Sequence, residues 1–201
     1  MRSRYLSRVV LVVLISMLAV GCASRVERIG SSEVKDLSGL WNDTDSRLVS
    51  EEMIKDVLSR PWLSRFEAKS GHPPAVIVGK IRNKSHEHIN VTTFVSDMEK
   101  ELINSGLVDF VASKTERSEI RDERKDQDLN ASEDTRKEMG QEKGADFMLQ
   151  GTISTIIDTE GKQQVRFYQV DLTLISLSNN RKVWVGQKKI KKYLSKASAR
   201  M

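Results

Sequence analysis

The first twenty-two residues of this chain determine how much of it is available to fold. Three arginines open the sequence without any acidic residue, and a run of twelve mostly apolar residues follows from Val9 to Val20. Small residues then lead to Cys22. A basic start, a short apolar stretch and small residues before a cleavage site are typical of a secretory signal peptide. Twelve helical residues rise only ~18 Å against a hydrocarbon core of ~30 Å, so we interpret residues 1–21 as a signal peptide and not as a membrane-spanning helix.

Cys22 is the only cysteine, so no disulfide can form within the chain. A free cysteine is most often a small buried hydrophobe, but this one follows Gly21 at the predicted cleavage site. The segment resembles the lipobox of bacterial lipoproteins, although Ala19 stands where that motif usually has leucine. The resemblance implies that Cys22 is acylated, with palmitate among its chains, and becomes the mature N-terminus.

The predicted anchor also suggests a location. Several acyl chains hold a protein stably on a membrane, because each buried methylene contributes ~0.8 kcal/mol. Ala23 follows the cysteine, and no aspartate is present there as an inner-membrane retention signal. By resemblance to Gram-negative sorting rules, we expect a protein attached to the outer membrane and facing the periplasm.

The mature chain is long enough for one domain with a proper core, since residues 22–201 number 180. Without the three leader arginines it has 30 basic and 28 acidic residues, a formal charge of +2. This balance does not favour a nucleic-acid-binding protein. The remaining excess of basic charge is concentrated at the end, where it indicates a solvated tail or a surface for anionic lipid or an acidic partner: Lys188, Lys189, Lys191, Lys192, Lys196 and Arg200.

The polar, aperiodic start of the mature chain predicts a lipid anchor and flexible tether over residues 22–44, followed by one globular domain over 45–201. Asp45 is the predicted N-cap of a helix from about Ser46 to Ser59, which Pro61 ends. The Pro-containing segment 70–74 is a predicted loop.

The rest of the domain alternates between strand and helix patterns. A β-branched strand over Ala75–Ile81 precedes a helix capped by Asn90 and ended by Gly106, whose apolar residues share an arc of ~100°. A strand over 107–112, polar helices over 115–127 and 132–143, and three long strands complete the order α-β-α-β-α-α-β-β-β. We therefore predict an α/β (α+β) fold with a mixed β-sheet and helices packed on it.

The polar helix over 115–127 separates its charges by sign. Arg117, Arg121 and Arg124 fall on one side, and acidic residues fall on the other. Like charges at i, i+4, such as Arg117 and Arg121, each cost a helix ~0.2–0.5 kcal/mol. The arginine side is thus a candidate partner-binding surface. Alternatively, salt screens these charges and neighbouring loops neutralise them.

Candidate sites for chemistry are weak. His86 and His88 would share a face only in a strand, and their segment has the pattern of a loop, so we predict no metal site. Paired carboxylates near the first helix come without a pocket, and G-x-S-x-G, G-x-G-x-x-G and Walker patterns are absent from the sequence. We expect no catalytic residues, no cofactor and no small-molecule substrate.

Four segments in order resemble the LpoB family of penicillin-binding protein activators. They are IVGKIRN at 77–83, NSGLVDFVAS at 104–113, GADFMLQG at 144–151 and VDLTLISLSNNRKVWVG at 170–186. The resemblance implies a domain like the N-terminal domain of TolB. It also implies a non-enzymatic outer-membrane lipoprotein that binds and stimulates a class A penicillin-binding protein. A structural or assembly lipoprotein of the same fold, serving another envelope complex, is the alternative.

The tether departs from the family pattern. Better-known members have a long proline-rich tether, whereas residues 23–44 contain no proline. These 22 residues reach ~75 Å when fully extended and ~26 Å as a flexible coil. Reaching an inner-membrane synthase therefore requires near-full extension, a long partner or a narrow periplasm.

Overall fold

The computed structural model describes residues 25–137, 140 and 142–195, so Cys22 and the predicted signal peptide lie outside the described residues. The chain divides into two compact units, Met1–Val34 and Lys35–Met201. In the first unit, residues 25–34 form no helix or strand and contain one turn, in which Glu33 N donates to Gly30 O at 3.0 Å. None of the helices described is both long and apolar enough to cross a membrane.

The second unit contains all of the described helices and strands. Its helices are α1 (Asp43–Leu58), α2 (Trp62–Ser70), α3 (Val91–Ser105) and α4 (Lys114–Asn130). Its strands are β1 (Ala75–Lys84), β2 (Asp109–Phe110), β3 (Phe147–Glu160), β4 (Gln163–Ser176) and β5 (Lys182–Ser195).

The five strands form one mixed sheet in the order β2-β1-β3-β4-β5. β1 runs parallel to both β2 and β3, and β3, β4 and β5 form an antiparallel meander. The predicted mixed sheet with packed helices is confirmed. A register shift between Val78 and Ile81 places Ile81 opposite Gly151.

The element order differs from the prediction in two places. The sequence pattern does not predict α2, because a proline after a helical pattern indicates the end of a helix. Pro61 has φ −63° and stands immediately before α2, where a proline favours helix initiation. The predicted helix over 132–143 is wrong over residues 132–137, where Thr135 N and Arg136 N both donate to Ser132 O in a tight turn. That segment has no apolar stripe to bury, so a helix there would gain no packing.

Helix ends follow from local side chains. α3 has the predicted caps: Asn90 accepts from Thr92 N, and Gly106 adopts φ 64° at the C-terminus. The predicted Asp45 N-cap is wrong, because Asn42 takes that position and Asp45 is the third helical residue. Both residues form a capping box, in which each side chain accepts from the other's backbone N–H.

The core lies between the sheet and the helices α1 and α3. Along β4, Tyr168, Val170, Leu172 and Leu174 are at most 2% exposed, and the residues between them are only partly buried. Phe94 and Met98 of α3 are fully buried against the same cluster. Each such apolar side chain contributes about 1.5–3 kcal/mol to the free energy of folding when it is buried. Burial in this layer is therefore a major source of the domain's stability.

The second strand is shorter than predicted. The pattern over Leu107–Ala112 suggested six residues, but only Asp109 and Phe110 pair with β1. Ser113 then caps α4 by accepting from Glu116 N, which ends the strand early.

Candidate interaction surface

Glu87 connects three parts of the domain. Its carboxylate accepts from Tyr168 Oη at 2.6 Å, from Arg166 Nη1 at 2.5 Å and from Trp41 N at 3.1 Å. Tyr168 Oη also lies 2.9 Å from Gly39 O. The segment before α1, which the sequence predicts to be tether, is therefore held on the sheet.

Other contacts extend this attachment. Trp41 packs edge-on against Phe94 and Tyr168, at centroid distances of 6.1 and 5.6 Å. Lys192 Nζ donates to Leu40 O at 3.1 Å and lies 2.5 Å from Asp45 Oδ2. The residues from Gly39 to Asp45 are thus attached to the sheet, and all but Asp45 lie within the segment that the sequence predicts to be tether.

The histidines have individual contacts. His86 Nδ1 lies 3.0 Å from Thr155 Oγ1, and His72 Nδ1 lies 2.8 Å from Pro73 O. Within the described ranges no three His, Cys, Asp or Glu side chains group closely enough to hold a metal ion. Glu87, which lies between His86 and His88 in the sequence, instead forms the contacts with Arg166 and Tyr168 described above.

The arginine side of α4 faces an acidic residue of this chain. Glu142 accepts from Arg121 Nε and Nη2, both at 2.8 Å, and from Arg124 Nη1 at 3.4 Å. The hydrogen bond from Arg121 holds the pKa of Glu142 below its usual range, and the charges of Arg124 and Arg117 add to this effect. Two of the three candidate arginines therefore attach the segment after α4 to the helix.

Arg117 differs from its two neighbours. Its Nε is buried and has no hydrogen-bond partner among the described residues. No described carboxylate lies within 4.0 Å of it. Of the three arginines, Arg117 is thus the one whose charge is least matched within the described part of the chain.

A second charged surface was missed by sequence reasoning. A groove of about 720 Å³ lies between α2 and the turn that joins β4 to β5. Arg65, Lys69, Arg181 and Lys182 line it, and all four are exposed. A signal was present in the sequence, because Arg65 and Lys69 are like charges at i, i+4, as in α4.

Comparison with known proteins identifies the family. The model of the family described as peptidoglycan-synthase activator LpoB matches residues 45–190, which are 146 of the 201 residues. A search of curated proteins finds no match.

The solved structures that match this chain are more distant in sequence. The NMR structure of Escherichia coli LpoB is 14% identical, with a TM-score of 0.41, and the alignment covers 87% of this chain and 83% of that one. The lipoprotein GNA1162 from Neisseria meningitidis is 12% identical, with a TM-score of 0.40 and coverage of 63% and 88%. The LpoB C-terminal domain from Salmonella enterica is 16% identical, with a TM-score of 0.34 and coverage of 66% and 94%. The assignment rests on the family match, which spans more than half of the sequence: this chain belongs to the LpoB family of peptidoglycan-synthase activators.

Proposed function

We propose that this protein is an outer-membrane lipoprotein that binds a class A penicillin-binding protein and stimulates its synthesis of peptidoglycan. The observation that supports this most is the family match over residues 45–190, which includes every strand of the sheet up to Ile190. Regulation by binding needs no catalytic group. The proposed acyl chains on Cys22 would attach the protein to the outer membrane and hold its domain in the periplasm.

The alternative is a structural or assembly lipoprotein for another envelope complex. The family match does not favour it, since the family is described as activators of a synthase. The two functions differ in one measurable property, because only an activator changes the rate of the synthase.

The test uses the mature lipoprotein in detergent with purified class A synthases. We expect co-purification with a synthase and an increase in its rate of glycan polymerisation. Binding without any change in rate would favour the assembly role. Absence of binding to every class A synthase of the same organism would contradict the proposal.

We also propose that the arginine side of α4 contributes to docking on an acidic surface of the synthase. Arg117 supports this, because its Nε has no hydrogen-bond partner and no carboxylate within 4.0 Å among the described residues, and its charge acts on Glu142 only at longer range. Arg121 and Arg124 contact Glu142, so they would have to exchange this contact for one with the partner.

Two variants distinguish docking of the arginines on the synthase from their attachment of the segment after α4 to the helix. Reversing the three arginine charges to glutamate removes both roles, whereas Glu142→Gln frees the arginines and removes only the attachment. If the arginines dock, E142Q binds the synthase at least as well as the wild type, and the triple reversal weakens binding. Equal weakening by both would show that the arginines act only through Glu142. Reversal of the exposed Lys80, Lys84 and Lys162 is the matched control.

A further inference from the structure

The groove between α2 and the β4–β5 turn combines unmatched positive charge with aromatic side chains in part of its lining. Arg65 and Lys69 form one bank, and Arg181 and Lys182 form the other. None of these four side chains has a carboxylate within 4.0 Å among the described residues.

Neighbouring charges do not cancel this excess. Arg60 also lines the groove, but it forms an ion pair with Asp56. Asp146 is the acidic residue among the lining side chains, and its Oδ2 accepts from Ala75 N at 2.8 Å. Like charges four residues apart weaken a helix, so Arg65 and Lys69 stay together at a cost to α2. An anionic ligand would remove that repulsion.

Aromatic side chains form part of the groove's lining, beside polar ones such as Ser70 and His72. Phe66 is partly exposed and packs edge-on against Phe147 at 5.3 Å, which in turn packs against Trp62 at 5.0 Å. Trp62 Nε1 donates to Val57 O at 2.6 Å, so its one polar atom is already satisfied. The partly exposed ring of Phe66 therefore suits contact with an apolar side chain.

We propose that this groove binds a short acidic peptide segment of a partner protein. Carboxylates on the segment would pair with the two basic banks, and an apolar side chain between them would contact Phe66. The volume of about 720 Å³ is that of a site for a few residues. A nucleic acid would need cations along a longer track, whereas these four are confined to one groove. The inference goes beyond the proposed function, since it holds whether or not the segment belongs to a synthase.

The test uses fluorescence anisotropy with the mature chain and a labelled peptide of about eight residues, in which acidic pairs flank a phenylalanine. We expect binding that weakens with added salt. The charge reversals R65E/K69E and R181E/K182E should each weaken it by about tenfold or more, since each removes two attractive charges and adds two repulsive ones. Phe66→Ala should weaken binding of this peptide but not of a peptide without phenylalanine.

Controls decide whether the groove is responsible. The reversal K80E/K84E changes the same number of exposed charges on β1 and should leave the affinity unchanged. Circular dichroism verifies the fold of each variant, and the two banks provide independent variants on different elements. Equal weakening by K80E/K84E, tighter binding of a single-stranded oligonucleotide, or no binding of the acidic peptide to the wild-type chain would each overturn the proposal.

Discussion

The hydroxyl of Tyr168 lies 2.6 Å from Glu87 Oε1 and 2.9 Å from the carbonyl oxygen of Gly39. One phenolic proton thus serves two acceptors, one in the loop after β1 and one in the segment before α1. Burial, followed by the hydrogen bond to Glu87, raises the pKa of Tyr168 well above its usual range. The phenol stays protonated as a donor, and it joins the start of the domain to the middle of the sheet.

Replacing Tyr168 with phenylalanine tests this junction. Tyr168→Phe keeps the ring in the core and removes the donor, so Glu87 and Gly39 each lose a hydrogen bond. We expect a loss of about 1–2 kcal/mol in the free energy of unfolding, measured by urea denaturation. Tyr193→Phe is the matched control, because Tyr193 is 63% exposed. Similar losses in both variants would contradict the role of the junction.

Gly151 lies opposite the register shift of β1 and leaves no space for a side chain. A Cβ there would lie 2.1 Å from Asp171 O and 2.6 Å from a methyl group of Leu172. Because the nearest atom is backbone, β3 and β4 would have to separate. We expect Gly151→Ala to lower the free energy of unfolding by about 1–3 kcal/mol.

Gly144→Ala is the control for this substitution, since nothing lies within 4 Å of a Cβ at that position. Its effect should stay within about 0.5 kcal/mol. Thermal melting of both variants provides the comparison. A G151A protein as stable as G144A would show that the sheet tolerates the additional methyl group.

Periodic patterns in the sequence predicted the helices and strands whose signals lie within one short stretch of chain. The apolar arc of α3, with Asn90 before it and Gly106 after it, identified that helix to the residue. The long alternating strands were predicted for the same reason. α2 was missed because Pro61 both follows one helix and precedes another, and proline is compatible with each position.

The candidate surfaces depend on contacts between distant residues, which a local pattern does not contain. Glu87 is 81 residues from Tyr168, and Arg121 is 21 residues from Glu142. The sequence predicts that α4 separates its charges by sign. It does not predict that Glu142 contacts the arginine side of this helix. Similarly, the groove requires α2 and the β4–β5 turn to lie side by side.

Asp56 of α1 connects that helix to the edge strand β5. Its Oδ2 accepts from Trp184 Nε1 at 2.8 Å, and its Oδ1 contacts Arg60. Burial acts to raise the pKa of Asp56, but the hydrogen bonds from Arg60 and Trp184 outweigh it and hold the pKa below its usual value. A depressed pKa in the folded state means that the ionised form stabilises the protein.

We expect Asp56→Ala to lower the free energy of unfolding by about 1–2 kcal/mol at neutral pH, because the indole N–H of the buried Trp184 loses its acceptor. The difference from wild type should be fully present above the unfolded pKa of about 3.9 and should shrink as the pH falls through the lower folded value. Urea denaturation across this pH range measures it. A difference that stays constant down to the lowest pH would contradict the role of the carboxylate.

Glu142 attaches the segment after α4 to the helix through Arg121, and this attachment depends on pH. The hydrogen bond from Arg121 lowers the pKa of Glu142, so the contact is fully formed above the unfolded pKa and is lost as the pH falls through the depressed value. We expect Glu142→Gln to accelerate amide hydrogen exchange in the second half of α4, measured by mass spectrometry. Glu133→Gln, an exposed change in the same segment, is the control. Unchanged exchange in E142Q would mean that α4 is held without this contact.

If Cys22 carries the proposed lipid, the contacts of the segment before α1 shorten the chain between that anchor and the domain. Asp36 contacts Asn42 and lies 3.5 Å from Lys192 Nζ, so the chain is attached from this residue onward. Residues 23–35 would then be the length of chain that serves as tether, and 13 residues span at most about 44 Å when fully extended, at ~3.4 Å per residue. If the partner is an inner-membrane synthase, a flexible insertion of about 20 residues after Val34 should raise the yield of crosslinks to that synthase in cells several-fold. The same insertion should have no effect when residues 1–22 are replaced by the cleavable leader of a soluble secreted protein, because a protein without the lipid is not limited by its tether. An equal gain in both backgrounds, or no gain in either, would show that tether length does not limit the encounter.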